Sequence, residues 1–286
     1  MGRSSYRQIG VWGLGLMGGC LAHCIRHLFP DQDIVGISGN QEALEKALAD
    51  GVITSAAGYE DPLPETLDLL FVCTPISRTV SDIQRVASSV SHPLVITDIA
   101  SVKHSICEGV GALPDHVTFI GGHPMAGIEK TGYAHASLEV VHQATYLVME
   151  GQGEIHDRFC QFLRDLQFNV LVMGPEKHDK LVALASHFPY LMAVLTMQVT
   201  QTLVSDADQD AFSQIVSSGF RDTTRVAGSS PLWGQDVCQF NRQALLDCLH
   251  TLQGNIPNLL DSVDGQDMPG LMALFQDIQT HRHRLL

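Results

Sequence analysis

Short, nearly all-apolar runs alternate with stretches of helical period through the first two-thirds of the chain. Gln8–Trp12, Asp33–Ile37, Leu67–Cys73, Leu94–Asp98, Val117–Gly121, Tyr146–Met149 and Asn169–Val172 read as strands. Gly18–Phe29, Gln41–Asp50, Thr79–Val90 and Ile155–Leu166 carry apolar residues at helical spacing. Pro30, Gly51 and Thr74-Pro75 mark stops between them. Apolar strands alternating with helices predict a parallel sheet covered on both faces.

After Gly174-Pro175 strand-like runs become rare. Glu176–Val204 is helical with a kink expected at Pro189, and Asp206–Ser218, Leu232–Gln253 and Pro269–Leu286 are further helices. The pattern predicts an α/β domain over 1–173 followed by an all-α domain over 174–286. Leu181–Val204 is the most apolar long stretch, but it contains His187, Pro189, Gln198 and Gln201, which fits a buried helix better than a membrane span. It is too apolar for a small domain standing alone, so a homodimer through the helical part is expected.

Composition narrows the partners. With 286 residues and a net charge of −14, the chain is long enough for two domains of about 100–200 residues each. Both parts are acidic, which argues against nucleic acid and anionic membrane surfaces. An anionic substrate would then need a local cluster of cations. The seven cysteines are scattered with no C-x-x-C pair, and Cys20 and Cys24, four apart, fit one buried helix face. Met1-Gly2-Arg3-Ser4-Ser5-Tyr6 leads straight into the first strand, so no leader and a cytoplasmic location are expected.

Gly13-Leu14-Gly15-Leu16-Met17-Gly18 matches G-x-G-x-x-G between a strand and a helix. Gly13 suits the tight turn, Gly15 lets the backbone approach a pyrophosphate, and Gly18 allows close helix–strand packing, with the helix N-terminus receiving the phosphates. Ser38, after the second strand, and Thr74 and Pro75, after the third, are further cofactor-side candidates. The acidic residue expected at the end of the second strand is missing: the strand runs into Ser38-Gly39-Asn40, and Asp31 and Asp33 sit at its other end. NAD or NADP is the implied cofactor. The missing carboxylate permits NADP and no arginine replaces it, which leaves a slight lean to NADP.

Three more segments carry chemistry: Asp98-Ile99-Ala100-Ser101-Val102-Lys103, Gly121-Gly122-His123-Pro124-Met125-Ala126-Gly127 and Gly219-Phe220-Arg221-Asp222-Thr223-Thr224-Arg225. With the glycine fingerprint, in this order, they resemble the prephenate/arogenate dehydrogenase family of tyrosine biosynthesis, from about Gln8 to at least Asn255. The resemblance implies a Rossmann-like domain followed by a helical dimerisation domain. It also implies oxidative decarboxylation of a cyclohexadienol, prephenate or arogenate, with hydride transfer to NAD(P). No metal is implied.

His123 is then the catalytic base, since a neutral imidazole accepts a hydroxyl proton near neutral pH. The resemblance gives Ser101 a hydrogen-bonding role beside it. On its own Ser101 reads as a helix N-cap. Arg225 matches the arginine that binds a substrate carboxylate through its planar fork. Arg221 lies four residues earlier in a stretch whose glycine and threonines suggest a loop. Ser186-His187-Phe188-Pro189-Tyr190 resembles a serine–histidine–proline segment of the substrate pocket, with Tyr190 where many members have a second histidine. Ile128 likewise replaces a residue that is commonly hydroxylic.

Two other functions compete. A β-hydroxyacid or 6-phosphogluconate-type dehydrogenase would use Lys177 or Lys180 as acid/base, and a cofactor-binding regulator would do no chemistry. Asp206, Asp208 and Asp210 mimic the start of a calcium loop, but Ala211 and Ser217 stand where it needs Gly and Glu, so a helix N-terminus explains them better. His281-Arg282-His283-Arg284 reads as a solvated end.

Overall fold

A computed structural model describes residues 2–285. Met1 of the N-terminal segment and Leu286, the last residue of the expected final helix, lie outside the described residues. Six parallel strands form the main sheet, in spatial order β3-β2-β1-β4-β5-β6: β1 (Gln8–Trp12), β2 (Asp33–Ile37), β3 (Ser55–Ala57), β4 (Leu67–Val72), β5 (Leu94–Asp98) and β6 (Val117–Ile120). This is the order of the doubly wound dinucleotide fold, with its switch point between β1 and β4.

Strand alternation divides the core between the two faces. Ile9, Val11, Leu69 and Phe71 face α1 (Leu16–Leu28) and α5 (Glu154–Asp165), while Trp12, Leu70 and Val72 face α3 (Ile76–Ser89) and α4 (His104–Val110). Helix α3 buries Ile76, Thr79, Ile83, Val86 and Ala87, the spacing of a single helical face. Helix α2 (Gln41–Ala49) is capped by Asn40, whose side chain accepts from the Ala43 amide.

The single parallel sheet expected from the strand pattern is in fact two. β7 (Gly122–Pro124), β8 (Thr145–Met149) and β9 (Asn169–Met173) form a separate three-stranded sheet in which β7 runs antiparallel to β8. The chain leaves β6 at Gly121 and starts β7 at once, and three residues are too few for a periodic signal. Gly121-Gly122 is therefore this jump between sheets, and His123 lies within a strand. Asp98 joins the two sheets, its Oδ1 accepting the Gly122 amide at 3.1 Å.

Beyond β9 the chain is helical: α6 (Pro175–Val182), α7 (Phe188–Leu203), α8 (Gln209–Ile215), α9 (Ser218–Thr224), α10 (Pro231–Phe240), α11 (Arg242–Asp264) and α12 (Met268–Leu285). The disturbance expected at Pro189 appears just ahead of it, as a π turn over Ala183–His187. Proline has no N–H to offer the preceding turn, and a wider turn absorbs the defect. The single helix expected over Leu232–Gln253 is broken at Asn241, whose side chain is drawn into the core. The stretch around Arg221, read as a loop, is helix α9 continued by a 3-10 turn over Arg225–Gly228. There Thr224 bonds back to the Phe220 carbonyl and Phe220 packs edge-on against Phe212.

The first compact unit runs to Arg242 and a second begins at Gln243. Within the first, Asp236 of α10 accepts from the Ser77 amide and hydroxyl at the start of α3, which fixes α10 against the α/β region. Helices α6 and α7, Pro175–Leu203, are long and apolar enough together to cross a membrane by length and composition alone. The stretch read as a buried helix is mostly uncovered in the single chain, where α7 buries only Tyr190 and Ala193 and leaves Leu195, Val199 and Leu203 exposed.

Candidate active site

Two neighbouring regions make up the site. The first is the glycine turn. Gly13 has φ +101°, a conformation that L side chains rarely adopt, and its amide bonds to the Ile37 carbonyl. A Cβ on Gly18 would stand 2.2 Å from the Gly13 carbonyl oxygen, so helix and turn touch there. Around Gly15 a Cβ would meet nothing within 4 Å. Gly15 is also the N-cap of α1, with no side chain capping the first turn and no acidic residue in it. Free amides of a helix N-terminus thus open onto empty space beside a backbone with no side chain, which fits a dinucleotide pyrophosphate.

Thr74, at the end of β4 beside Gly13, has a buried hydroxyl without a protein partner, a polar atom left for a ligand. Pro75 is exposed next to it and opens α3. Leu14 is buried, so only its backbone belongs to the turn. The Ser38 hydroxyl accepts the Asn40 amide at 3.1 Å.

The second region is a cavity of about 440 Å³ that starts from Leu16 and Met17 at the head of α1. Ser101, His123, Ser186, Tyr190 and Arg225 line it together. Arg221 does not: it is exposed outside the cavity, a turn back from Arg225 along the helical stretch. Ile128 lines the cavity too. Lys177 and Lys180 are exposed away from it, which removes the footing of the β-hydroxyacid-type alternative.

His123 uses one ring nitrogen internally, its Nδ1 standing 2.9 Å from His178 Nε2. That leaves Nε2 as the free nitrogen. Burial, aided by His178, Lys103 and His187, holds His123 well below the ordinary histidine range, so the ring is neutral at physiological pH. Ser101 does not cap α4. The α4 amides are met instead by Asp179, which accepts from Lys103 N at 2.7 Å and His104 N at 3.0 Å. The Ser101 hydroxyl accepts from Trp233 Nε1 at 3.1 Å. Tyr190 packs edge-on against the same indole, and a Cβ on Gly234 would collide with its hydroxyl. Arg225 meets Glu129 at 2.9 Å across the cavity rim, where both side chains are partly exposed.

Several site residues escaped the sequence reading: His178, Asp179, Glu129, Trp233 and the buried Asp98–Lys103 ion pair. The adjacent His178-Asp179 dyad, on the first helix after the strands, was the available signal for two of them.

Comparisons with known proteins identify the family. The family profile "Prephenate dehydrogenase, nucleotide-binding domain" matches residues 21–179, and "Prephenate dehydrogenase, dimerization domain" matches residues 174–277. A prephenate dehydrogenase of Bacillus subtilis is 31% identical over 278 residues, 96% of this chain and 74% of the relative. A cyclohexadienyl dehydrogenase of Zymomonas mobilis is 25% identical over 97% of this chain and 95% of its own length. Among solved structures, Synechocystis arogenate dehydrogenase superposes with TM-score 0.79 at 30% identity, covering 98% of this chain and 100% of that one. The A. aeolicus prephenate dehydrogenase solved with hydroxyphenyl propionate and NAD+ shares the fold, with TM-score 0.83 at 21% identity over 99% of each chain. Two domain profiles that together run from residue 21 to residue 277, and a close relative matched over most of its length, establish that the chain belongs to the prephenate dehydrogenase family of NAD(P)-dependent oxidoreductases.

Proposed function

We propose that this chain oxidatively decarboxylates prephenate or arogenate, with His123 as the base. The observation that carries the reading is the convergence of His123, Ser101, Ser186, Tyr190 and Arg225 on one cavity at the head of α1. The nucleotide-binding role is assigned to 1–173 and substrate binding with dimerisation to 174–286.

A nicotinamide dinucleotide held at the glycine turn would supply the acceptor for the ring hydride. His123 Nε2 takes the proton of the ring hydroxyl, which lets the forming carbonyl push the hydride out. Ser101, whose oxygen already accepts from Trp233, has its own hydrogen free for the substrate oxygen or the histidine. Arg225 holds a substrate carboxylate in place of Glu129. When carbon dioxide leaves, the ring becomes aromatic and its oxygen takes the proton back from His123. The reaction neither consumes nor releases a proton, so His123 is base first and acid second.

The lean to NADP gains support from a residue outside the second strand. Arg78 of α3 lies over the Tyr59 ring at 5.4 Å from its centre, and Tyr59 in turn packs beside Gly39. Its partner Asp82 is 3.4 Å away, and the 2′-phosphate of a bound NADP would offer the guanidinium a stronger anion. A second copy of the chain is the partner that covers the outer face of α7, and a cytoplasmic location fits this biosynthetic role. The deciding experiment pairs prephenate and arogenate with NAD+ and NADP+ in four assays. Turnover with a cyclohexadienol and release of carbon dioxide support the reading; cofactor binding without turnover in all four overturns it.

A further inference from the structure

We propose that His178 and Asp179 form a proton-holding relay behind His123 and act as positioning residues for the reaction assigned above. His123 Nδ1 stands 2.9 Å from His178 Nε2, and His178 Nδ1 stands 2.8 Å from Asp179 Oδ1. All three side chains are buried. Asp179 is fixed by backbone: Oδ1 accepts from Lys103 N and Oδ2 from His104 N.

Donor and acceptor roles then follow along the line. A carboxylate only accepts, so His178 carries hydrogen on Nδ1 and, being neutral, presents a lone pair at Nε2. His123 must therefore donate from Nδ1, which puts its own lone pair on Nε2, the nitrogen the base reaction needs. Asp179 thus selects the reactive tautomer of a ring it does not touch.

The charges point the same way. Lys103 is ion-paired with Asp98, both fully buried, so their charges cancel. Asp179 has no lysine or arginine ion pair among the described residues. The histidines His123, His178 and His187 are each held below the ordinary range, chiefly by burial, with Asp179 opposing the shift at His178. Burial pushes the Cys107 thiol up to about 11, with Lys103 opposing and Asp98 and Asp179 adding to the shift, so it stays neutral. The resting cluster therefore holds one uncompensated negative charge and has room for one proton. During turnover the substrate O–H bond breaks as an N–H bond forms at His123 Nε2. The Nδ1 proton of His123 moves to His178 Nε2, leaving an imidazolium against Asp179. The same transfers run backwards when the aromatic oxygen reclaims its proton.

The test uses the full chain and the variant His178→Asn, which leaves the Asp179 bonds to backbone in place. Nitrogen-15 NMR of the ligand-free protein reads the tautomers without any substrate, so it stands even if the dehydrogenase reading fails. The relay requires hydrogen on Nδ1 of both His123 and His178. An Nε2–H tautomer at His123 in the wild type overturns it. In turnover, kcat of His178→Asn is expected to fall about tenfold or more with KM within about twofold, and the acidic limb of its pH profile to move down by about one unit. A fall in kcat with an unmoved acidic limb means that His178 only supports the fold, and overturns the relay. Asp179→Asn is expected to move the limb the same way, and its melting curve separates that shift from unfolding.

Discussion

The glycine cradle and the substrate cavity meet at the head of α1 but are built by opposite means. The cradle is backbone: a left-handed Gly13, a bare Gly15 and the amides of one helix, all from six consecutive residues. The cavity is side chains from five separate segments, held by bonds such as Trp233 to Ser101 and Asp236 to Ser77 that join residues more than a hundred positions apart. A backbone site depends on what is missing, a Cβ or an acidic residue. A side-chain site depends on what arrives together. The two should therefore fail differently, and four substitutions and one titration can break or sharpen that contrast.

The largest effect is expected at His123. Changing it to Asn should lower kcat by about 10²–10⁴-fold and leave substrate KM nearly unchanged, because the loss falls on proton transfer. Near-normal turnover in steady-state assays would remove His123 as the base. Arg225→Ala should act on binding, raising KM for the cyclohexadienol by about 10–100-fold through the loss of charge-assisted bonds worth about 1.5–3 kcal/mol. An unchanged KM would take Arg225 out of the carboxylate site. Gly15→Ala should weaken cofactor binding by about tenfold or more while stability stays within about 0.5 kcal/mol, since the added Cβ enters open space. Calorimetry with NAD+ and NADP+ beside a melting curve checks both halves. Arg78→Ala should lower the preference for NADP over NAD by a few fold and leave substrate KM alone, which a ratio of kcat/KM values measures.

The smallest effect is on stability. His123, His178 and His187 are held below their unfolded values, His187 to about 4. The unfolded chain therefore binds these protons first as the pH falls. Stability should be full above about pH 6.5 and decline steadily from there towards pH 4, as melting temperatures across that window would report. A flat profile would mean that the three rings are not buried neutral.

The same contrast explains what could be read in the sequence. β1, β2 and β5 carry contiguous apolar signals and fall where the pattern puts them. The glycine turn is equally local. β7 is three residues long and changes sheet, so no window of periodicity can detect it. Arg225 and Ser101 were found only through resemblance, because nothing near either residue marks it as part of a cavity. His178 and Asp179 were missed for a related reason. Their partners are His123, 55 positions earlier, and the Lys103 and His104 amides, and an adjacent His-Asp pair on a helix looks like solvated surface until those neighbours are in place.

The chain has two tryptophans, and the fold puts one in each region. Trp12 ends β1, its ring tilted at 41° against Tyr59 with centres 4.9 Å apart, towards the Gly39 end of the cofactor crevice, and Trp233 donates to Ser101 in the cavity. The molecule therefore carries a separate optical reporter for each half of its site. Emission from a Trp233→Phe protein should follow the dinucleotide and that from a Trp12→Phe protein the cyclohexadienol, so the order in which the two bind can be timed from intrinsic fluorescence without a label.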